Sequence, residues 1–203
     1  MFYEAAAKNH GLPHDPFKAL VAPRPIGWIT AMSAKGEVNL SPYSFFNAVS
    51  DNPHMVAFSS DGRKDAVTFI AETGEFVCNL ATHALKDAMN ATSAPLRRGE
   101  NEMSFAGLEA APSRLVKPPR VAAAPAALEC KLVRMVDLDP LGGGPARYTL
   151  VIGQVIGVHI DDRFIRDGIV DTAQMLPIAR AGYREYFTAT PETRFEMTRP
   201  SGG

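Results

Sequence analysis

The sequence is poor in cysteine, and this narrows the kinds of protein that it can encode. Only two of its 203 residues are cysteine, Cys78 and Cys130, and they do not form a C-x-x-C pair. This count disfavours both a disulfide-stapled secreted scaffold and a paired-cysteine zinc site. Each cysteine lies in an apolar, strand-like run, so we expect two buried free thiols in a reducing cytoplasm.

The chain also has no excess of charge of either sign, since 21 Lys and Arg face 22 Asp and Glu. This balance gives no electrostatic basis for binding nucleic acid or an anionic membrane surface. No apolar run approaches the length of a membrane span, and the first ten residues lack the cationic and apolar regions of a signal peptide. We therefore expect a cytoplasmic protein with neither a nucleic-acid nor a membrane partner.

Signatures of the common enzyme classes are missing as well. The sequence contains no G-x-S-x-G, H-E-x-x-H or G-x-G-x-x-G pattern. His10 and His14 are separated by a Gly and a Pro, which prevents a helix from presenting both to one metal, so we predict no metal site. A cofactor that brings its own reactivity fits such a chain, and we assign no catalytic side chain.

The stretch from residue 23 to residue 60 has the rhythm of consecutive strands. An apolar run, Ile26 to Met32, meets a turn signal at Lys35-Gly36, and a second turn signal at Asn52-Pro53 precedes another apolar run. Many hydroxyl, amide and cationic side chains stand between the apolar positions. We interpret the stretch as part of a small barrel that holds a polar, planar ligand, with an ordinary hairpin bearing surface polar residues as the alternative. The polar residues are Arg24, Thr30, Ser41, Ser44, Asn47, Ser59 and Ser60.

The remaining chain predicts a mixture of strands and short helices. A long excursion over residues 92–126, rich in Pro and Ala, is expected to pack on the barrel, and L-G-G-G-P at 141–145 is interpreted as a hairpin tip. His159 is expected to be a strand residue with a hydrogen-bond partner. We predict a helix capped by Asp61 and stopped by Gly74, a strand Glu75 to Leu80, a helix His83 to Ala91 capped by Thr82, strands Ala127 to Val136 and Arg147 to Val158, and a helix Thr172 to Ala179.

Several motifs in a fixed order give the chain a resemblance to a known family. R-P-I-G-W-I-T, N-L-S-P-Y-S-F-F-N, D-N-P and S-S-D-G-R-K-D-A are followed by T-G-E-F-V-C-N-L, N-E-M-S-F-A-G-L and I-G-Q-V-I-G-V-H-I-D-D. The chain resembles the flavin reductase-like, FMN-binding split-barrel family, in the branch with the reductase components of two-component monooxygenases. The resemblance covers roughly residues 12 to 187 and implies a mainly β split barrel with flanking helices. It implies one domain over 1–203, with an N-terminal arm at 1–22 and a tail at 188–203.

The resemblance also implies which residues bind FMN. Core packing remains an equal alternative for Trp28 and Phe46. Arg24 is expected beside ring oxygen O2, and Tyr183, which departs from the R-x-G-G pattern of relatives, is expected to cover the ring or narrow the path of the donor. The phosphate is expected at Ser59, Ser60, Arg63 and Lys64; the ring and ribityl chain at the strand backbone around Trp28, Ile29 and Thr30 and at Ser44, Phe45, Phe46 and Asn47; and further FMN contacts at Asp65, Arg180 and Tyr183.

As function, the resemblance implies an NAD(P)H-dependent flavin reductase that uses FMN and supplies reduced flavin or electrons to a monooxygenase or another acceptor. The alternative is an FMN-containing electron carrier, similar to flavoredoxin, without nicotinamide specificity. A homodimer is expected, because split barrels of this family bind flavin at a subunit interface, and the 92–126 excursion offers a surface for that contact.

Overall fold

The fold is built on a seven-stranded antiparallel sheet that forms a split barrel. The computed structural model describes residues 1–202. The strands follow one another across the sheet in the order β3-β2-β6-β9-β10-β5-β4, and every neighbouring pair is antiparallel. Their bounds are β2 Gly27–Met32, β3 Val38–Tyr43, β4 Phe46–Asp51, β5 His54–Asp61, β6 Glu75–Leu80, β9 Ala126–Asp137 and β10 Tyr148–Ile160.

Short elements surround this sheet. One three-stranded sheet, in the order β1-β13-β14, joins the start of the barrel to the C-terminal segment. The helices are α1 Phe17–Leu20, α2 Asp65–Thr73, α3 Lys86–Ala91 and α4 Glu102–Phe105, and the short strands are β1 Arg24–Pro25, β7 Ala110–Ala111, β8 Arg120–Val121, β11 Ile165–Arg166, β12 Ile169–Val170, β13 Ile178–Arg180 and β14 Tyr186–Thr188.

The split of the barrel lies between its two edge strands, β3 and β4. These strands are consecutive in the chain, and only Ser44 and Phe45 separate them. The carbonyl of Phe45 accepts a hydrogen bond from the N–H of Ser59 on β5, with an N–O distance of 2.9 Å. The motif N-L-S-P-Y-S-F-F-N therefore runs across the split and places its polar side chains there.

Successive side chains of a strand point to opposite sides of the sheet. Consecutive residues of β2 are buried, so both faces of this strand are covered. Trp28 packs in one apolar cluster beneath the excursion, and its indole N–H donates to the hydroxyl of Thr92 at 2.9 Å. Ile29 packs in a second cluster with Phe58 and α2. Both Trp28 and Ile29 are fully buried. Trp28 therefore takes part in core packing, one of the two alternatives for this residue.

Helix α2 ends as predicted but begins later. Gly74 closes it with φ of 71°, a left-handed conformation that glycine adopts at low cost. The prediction that Asp61 caps the helix is wrong, since α2 begins at Asp65. Asp61 is instead the last residue of β5, where its carboxylate pairs with Arg147, and Gly62 turns the chain before the helix.

The helix predicted over residues 83–91 is divided. A 3-10 turn occupies His83–Leu85, and α3 follows it. Thr82 makes no side-chain capping hydrogen bond and forms an isolated β-bridge with Pro177. A tertiary contact has therefore replaced the predicted local cap.

The prediction of a helix over residues 172–179 is wrong. Only a 3-10 turn, Thr172–Met175, forms there. Leu176 takes a left-handed φ of 52°, and β13 begins directly after Pro177 and pairs with β1 and β14. Proline lacks the N–H that a helix needs, and the two partner strands take the following residues into a sheet.

A buried carboxylate fixes the long excursion to the barrel. Glu129 on β9 accepts hydrogen bonds from the backbone N–H groups of Arg114, Leu115 and Val116 at 2.6–3.1 Å, and His159 contacts it at 2.5 Å. Burial opposes ionisation of this carboxyl, but the N–H donors and His159 outweigh it and lower its pKa. The packed excursion and the partnered His159 are both confirmed.

The two cysteines are buried free thiols, as predicted. No helix within residues 1–202 is long and apolar enough to cross a membrane. The same residues contain no group of His, Cys, Asp and Glu side chains arranged to hold a metal ion.

Candidate functional site

Three cavities meet at the split of the barrel. A polar groove of about 580 Å³ lies over β3, β5 and the start of α2. An apolar groove of about 930 Å³ lies on the far side of Phe45, and an arginine pocket of about 920 Å³ lies between the arm and the 180–185 loop. The polar groove shares Phe45 with the apolar groove and Ser44 with the arginine pocket. The two-residue link across the split is thus the meeting point of all three.

The polar groove is lined by side chains from regular strands and from the start of a helix. β3 contributes Ser41 and Tyr43, β5 contributes Ser59, and Lys64 stands immediately before α2. Residues 93–96, after α3, form the opposite wall. Strand geometry dictates this arrangement, because alternate residues of β3 and β5 face the same side of the sheet.

Two buried hydroxyl groups in the lining of the polar groove have no hydrogen-bond partner within the described chain, those of Tyr43 and Ser59. Burial, with smaller contributions from the carboxylates of Glu102 and Asp65, raises the pKa of Tyr43 to about 12 against the opposing effect of the neighbouring Ser60 hydroxyl, which does not reach hydrogen-bonding geometry. The phenol is therefore a neutral hydrogen-bond donor across the physiological range. A buried polar group without a partner costs about 1–3 kcal/mol, so these two hydroxyls favour a bound polar ligand.

The charges around the polar groove are unevenly paired. Asp65 is bound by Arg98, with Nη2 2.8 Å from Oδ1. Lys64 and Lys18 make no ion pair with any residue from 1 to 202. Burial raises the pKa of Glu102, whose carboxyl accepts from Asn39 and the Leu40 N–H. Two free ammonium groups beside uncharged hydroxyls suit an anionic group of a ligand.

The apolar groove is lined by Phe46, Val49 and Leu150 from the strands and by Phe17 and Leu20 from α1. Gly27 makes its shape possible, because a Cβ at this position would lie 2.6 Å from the Phe46 ring. Leu20 is 74% exposed and Val49 is 56% exposed. These residues form an apolar surface open to solvent.

The arginine pocket is held together by one buried guanidinium. Arg24 is 6% exposed, and it donates to the carbonyls of Lys18 and Val21 in the arm and of Ala181 after β13. Its Nε atom has no partner within residues 1–202. Arg24 faces Arg180 in the β1–β13 pair; burial and, after it, the charge of Arg180 lower the pKa of Arg24.

Tyr183 stands at the mouth of the arginine pocket in a strained conformation. Its φ is 53°, in the left-handed region that glycine favours, and its side chain is 50% exposed. Its ring lies against His14 of the arm, with 5.7 Å between ring centroids. The departure from R-x-G-G seen in the sequence thus places an aromatic residue where the backbone favours glycine.

The structure divides the predicted site residues into four groups. Trp28, Ile29 and Thr30 are wholly buried on β2, whose backbone is paired with β3 and β6, and the hydroxyl of Ser60 is bonded to the Gly62 carbonyl. Arg63 points to Asp137 at 3.7 Å. These five lie outside the linings of all three cavities. Ser44, Phe45, Ser59, Lys64 and Asp65 line the polar groove, Phe46 and Asn47 the apolar groove, and Arg24, Arg180 and Tyr183 the arginine pocket.

Some lining residues were not predicted. Tyr43 stands in N-L-S-P-Y-S-F-F-N, so its motif was recognised but its hydroxyl was not assigned. Lys18 and Tyr148 also line the polar groove. Nothing in the local sequence of Lys18 identifies it, because the docking of the arm through Arg24 brings it to the site.

The fold and the cavities together define a class, a split β-barrel with a ligand groove at its split. Comparison with known proteins agrees. A model of the family described as "Flavin reductase like domain" matches residues 20–174, and the chain belongs to this family. An uncharacterized protein of Deinococcus radiodurans is 36% identical over 193 residues, covering 89% of this chain and 82% of the relative.

Solved structures share the fold. Nitrilotriacetate monooxygenase component B from Bacillus cereus is 30% identical, with a TM-score of 0.83, and the match covers 93% of this chain and 96% of that one. The 2-nitrobenzoate 2-nitroreductase NbaA from Pseudomonas fluorescens is 24% identical, with a TM-score of 0.85 over all of both chains. At this identity the second likeness shows the fold alone.

Proposed function

We propose that this protein binds FMN in the polar groove and works as an NAD(P)H-dependent flavin reductase. The observation that carries the proposal is the pair of buried hydroxyls, Tyr43 and Ser59, left without partners beside the unpaired ammonium of Lys64. A flavin mononucleotide has the matching chemistry, with a phosphate dianion for the ammonium and hydroxyl groups and a polyhydroxyl chain for the buried hydroxyls.

The residues divide the binding of the cofactor between them. Lys64 and Ser44 would hold the phosphate end, and Tyr43 and Ser59 would hydrogen-bond to the polar chain of the flavin. Phe45, at the junction of the polar and apolar grooves, offers an apolar surface for the ring. Arg24 was predicted beside O2, but its two Nη atoms already donate to backbone carbonyls, so we assign it to positioning the arm.

FMN, when bound, supplies the chemistry by accepting a hydride from a reduced nicotinamide. The protein has to bind the flavin and the nicotinamide and keep their reacting atoms about 3–3.5 Å apart. Because the cofactor carries the chemistry, no side chain needs to act as acid or base in that step. Because the sequence has no G-x-G-x-x-G dinucleotide motif, we expect weak binding of the donor and little choice between NADH and NADPH. Reduced flavin or its electrons would pass to a partner; the relative from Bacillus cereus is a monooxygenase component.

An anaerobic experiment tests the function. The purified protein should be yellow, or take up FMN in equal amount, and NADH or NADPH should bleach the bound flavin. If dithionite bleaches the flavin while both nicotinamides fail, the reductase proposal is wrong and the electron-carrier alternative replaces it. A protein that does not quench FMN fluorescence would contradict both.

We also propose a homodimer in which a second copy covers the apolar groove. The exposed apolar side chains of Leu20 and Val49 support this contact. This surface lies at the split, whereas the excursion was the surface suggested by the sequence. Val49→Asp should shift the mass measured by light scattering from dimer to monomer. A monomer in the wild-type protein with FMN bound would rule the dimer out.

A further inference from the structure

The arginine pocket is a second cationic cavity, which adjoins the groove assigned to FMN. Four cationic side chains line it against two carboxylates, Asp15 and Glu185. The cations come from the arm, from β1, from the end of β13 and from the segment that follows it: Lys18, Arg24, Arg180 and Arg184.

The structure does not neutralise these cations internally. Lys18 and Arg184 form no ion pair in the described part of the chain, residues 1–202. Arg24 and Arg180 stand opposite each other in a β-pair, and the Nε of Arg24 is buried without a partner. Adjacent like charges in a partly buried place are unfavourable, and a bound anion relieves them.

The pocket also has an aromatic wall. Tyr183 keeps a left-handed backbone with φ of 53°, and its ring is half exposed above the pocket next to His14. Strain of this kind persists where the surrounding structure enforces it, and it is concentrated at functional sites. An aromatic face beside several cations suits a ligand that joins a planar ring to an anionic group.

The position of the pocket connects it to the cofactor. It shares Lys18 and Ser44 with the polar groove. A ligand in the arginine pocket would therefore lie next to a flavin in the polar groove, as a second substrate must.

We infer that the arginine pocket binds the phosphate groups of the hydride donor. The solvent-exposed side chains of Arg184 and Lys18 would contact these phosphates, and Tyr183 would be the wall against which a planar ring of the donor packs. This inference rests on the proposed reductase function. Arg24 and Arg180 position the pocket, since their guanidinium groups hold backbone carbonyls and Tyr186.

Arg184→Gln is the variant that tests the site, because the side chain is exposed and its loss should leave the fold intact. Arg166→Gln is the matched control, since Arg166 is exposed on β11 and lies outside all three cavities. Binding of ADP-ribose, which carries the pyrophosphate without nicotinamide, should weaken about tenfold in Arg184→Gln and stay unchanged in the control. Calorimetry with and without FMN measures this directly.

A second arm compares NADH with N-benzyl-1,4-dihydronicotinamide, a hydride donor that has no phosphate. Arg184→Gln should raise the KM for NADH about tenfold, leave the uncharged donor unchanged and leave the FMN affinity unchanged. Wild-type affinity of Arg184→Gln for ADP-ribose, or equal losses for both donors, would overturn the inference. If neither donor bleaches the wild-type flavin, the proposed reductase function fails, and the ADP-ribose titration still decides whether the pocket binds the phosphates.

Discussion

The polar groove and the arginine pocket both present cations, but they are built from different kinds of structure. The floor of the polar groove comes from β3 and β5, and β5 is paired on both sides by β4 and β10. The arginine pocket comes from the arm around residues 14–18 and the loop around 180–185. A groove in a paired sheet is rigid and suits a resident cofactor, whereas segments held by a few contacts suit a ligand that enters and leaves at each turnover.

The largest expected effect is on the cofactor, in Lys64→Met. Loss of a charge-assisted contact to the phosphate should weaken FMN binding by about 1.5–3 kcal/mol, or roughly ten- to a hundredfold. Riboflavin has no phosphate and should be nearly indifferent. Arg63→Met is the matched control, because this neighbouring cation points to Asp137 and lies outside the groove. Fluorescence titration measures the affinity of each variant for FMN and for riboflavin. Equal losses for the two ligands in Lys64→Met would place the phosphate elsewhere.

Gly182→Ala should disturb the arginine pocket while affecting the polar groove far less. A Cβ at Gly182 would lie 2.6 Å from the Cβ and 2.9 Å from the Cα of Ala19, so the arm must move away from the loop. Such overpacking costs about 1–3 kcal/mol, measured as the free energy of unfolding in urea. Proteolysis within residues 1–22 should become faster, while the FMN affinity should change far less than in Lys64→Met.

The control for this variant is Gly142→Ala, at a position where a Cβ would meet no atom within 4 Å. Its stability and its rate of proteolysis should match the wild type. If Gly182→Ala behaves like this control, the close packing of the arm on the loop does not hold in solution.

A smaller effect is expected for Tyr43→Phe. The substitution should not destabilise the protein without FMN, but it should weaken the binding of FMN. Removing a buried hydroxyl that has no partner should leave the unliganded fold as stable as the wild type or more stable, by up to about 1 kcal/mol. FMN binding should weaken by about 1 kcal/mol, because the donor to the ligand is lost. Thermal unfolding with and without FMN tests both halves, and a loss of stability without FMN would mean that the hydroxyl has a partner in the empty protein.

The smallest effect is expected for Tyr183→Gly. Glycine adopts φ of 53° without steric cost, so the free energy of unfolding should rise by about 0.5–1 kcal/mol after the greater freedom of unfolded glycine is subtracted. FMN affinity should not change, because Tyr183 lies outside the polar groove. A decrease in stability would show that the contact with His14 outweighs the backbone strain.

The parts of the fold that depend on local chemistry were predictable from the sequence. The turns at Gly36 and at Asn52-Pro53 separate β2 from β3 and β4 from β5, and Gly74 ends α2. The start of α2 and the segment after Thr172 were not, because pairing with distant residues decides them. Asp61 is bound by Arg147, and Ile178 is paired with Thr188. Local propensity gives no information about such partners.

The same distinction applies to the site. Ser44, Phe45, Ser59 and Lys64 lie in recognisable motifs, and all four line the polar groove. Periodicity did not reveal that β2 is an interior strand of the sheet with both faces buried, so that Trp28, Ile29 and Thr30 all lie in the core. The arginine pocket was not predictable as a unit, because its two halves are far apart in the chain and the buried guanidinium of Arg24 joins them.

The central claim is that FMN lies in the polar groove at the split of the barrel, and a crystal structure of the protein with FMN tests it most directly. The account predicts a phosphate oxygen within hydrogen-bond distance of the Lys64 Nζ, and a flavin oxygen or hydroxyl about 2.7–3.2 Å from the hydroxyl of Tyr43 or Ser59. Flavin density confined to the apolar groove or the arginine pocket, with both hydroxyls still unpartnered, would contradict it.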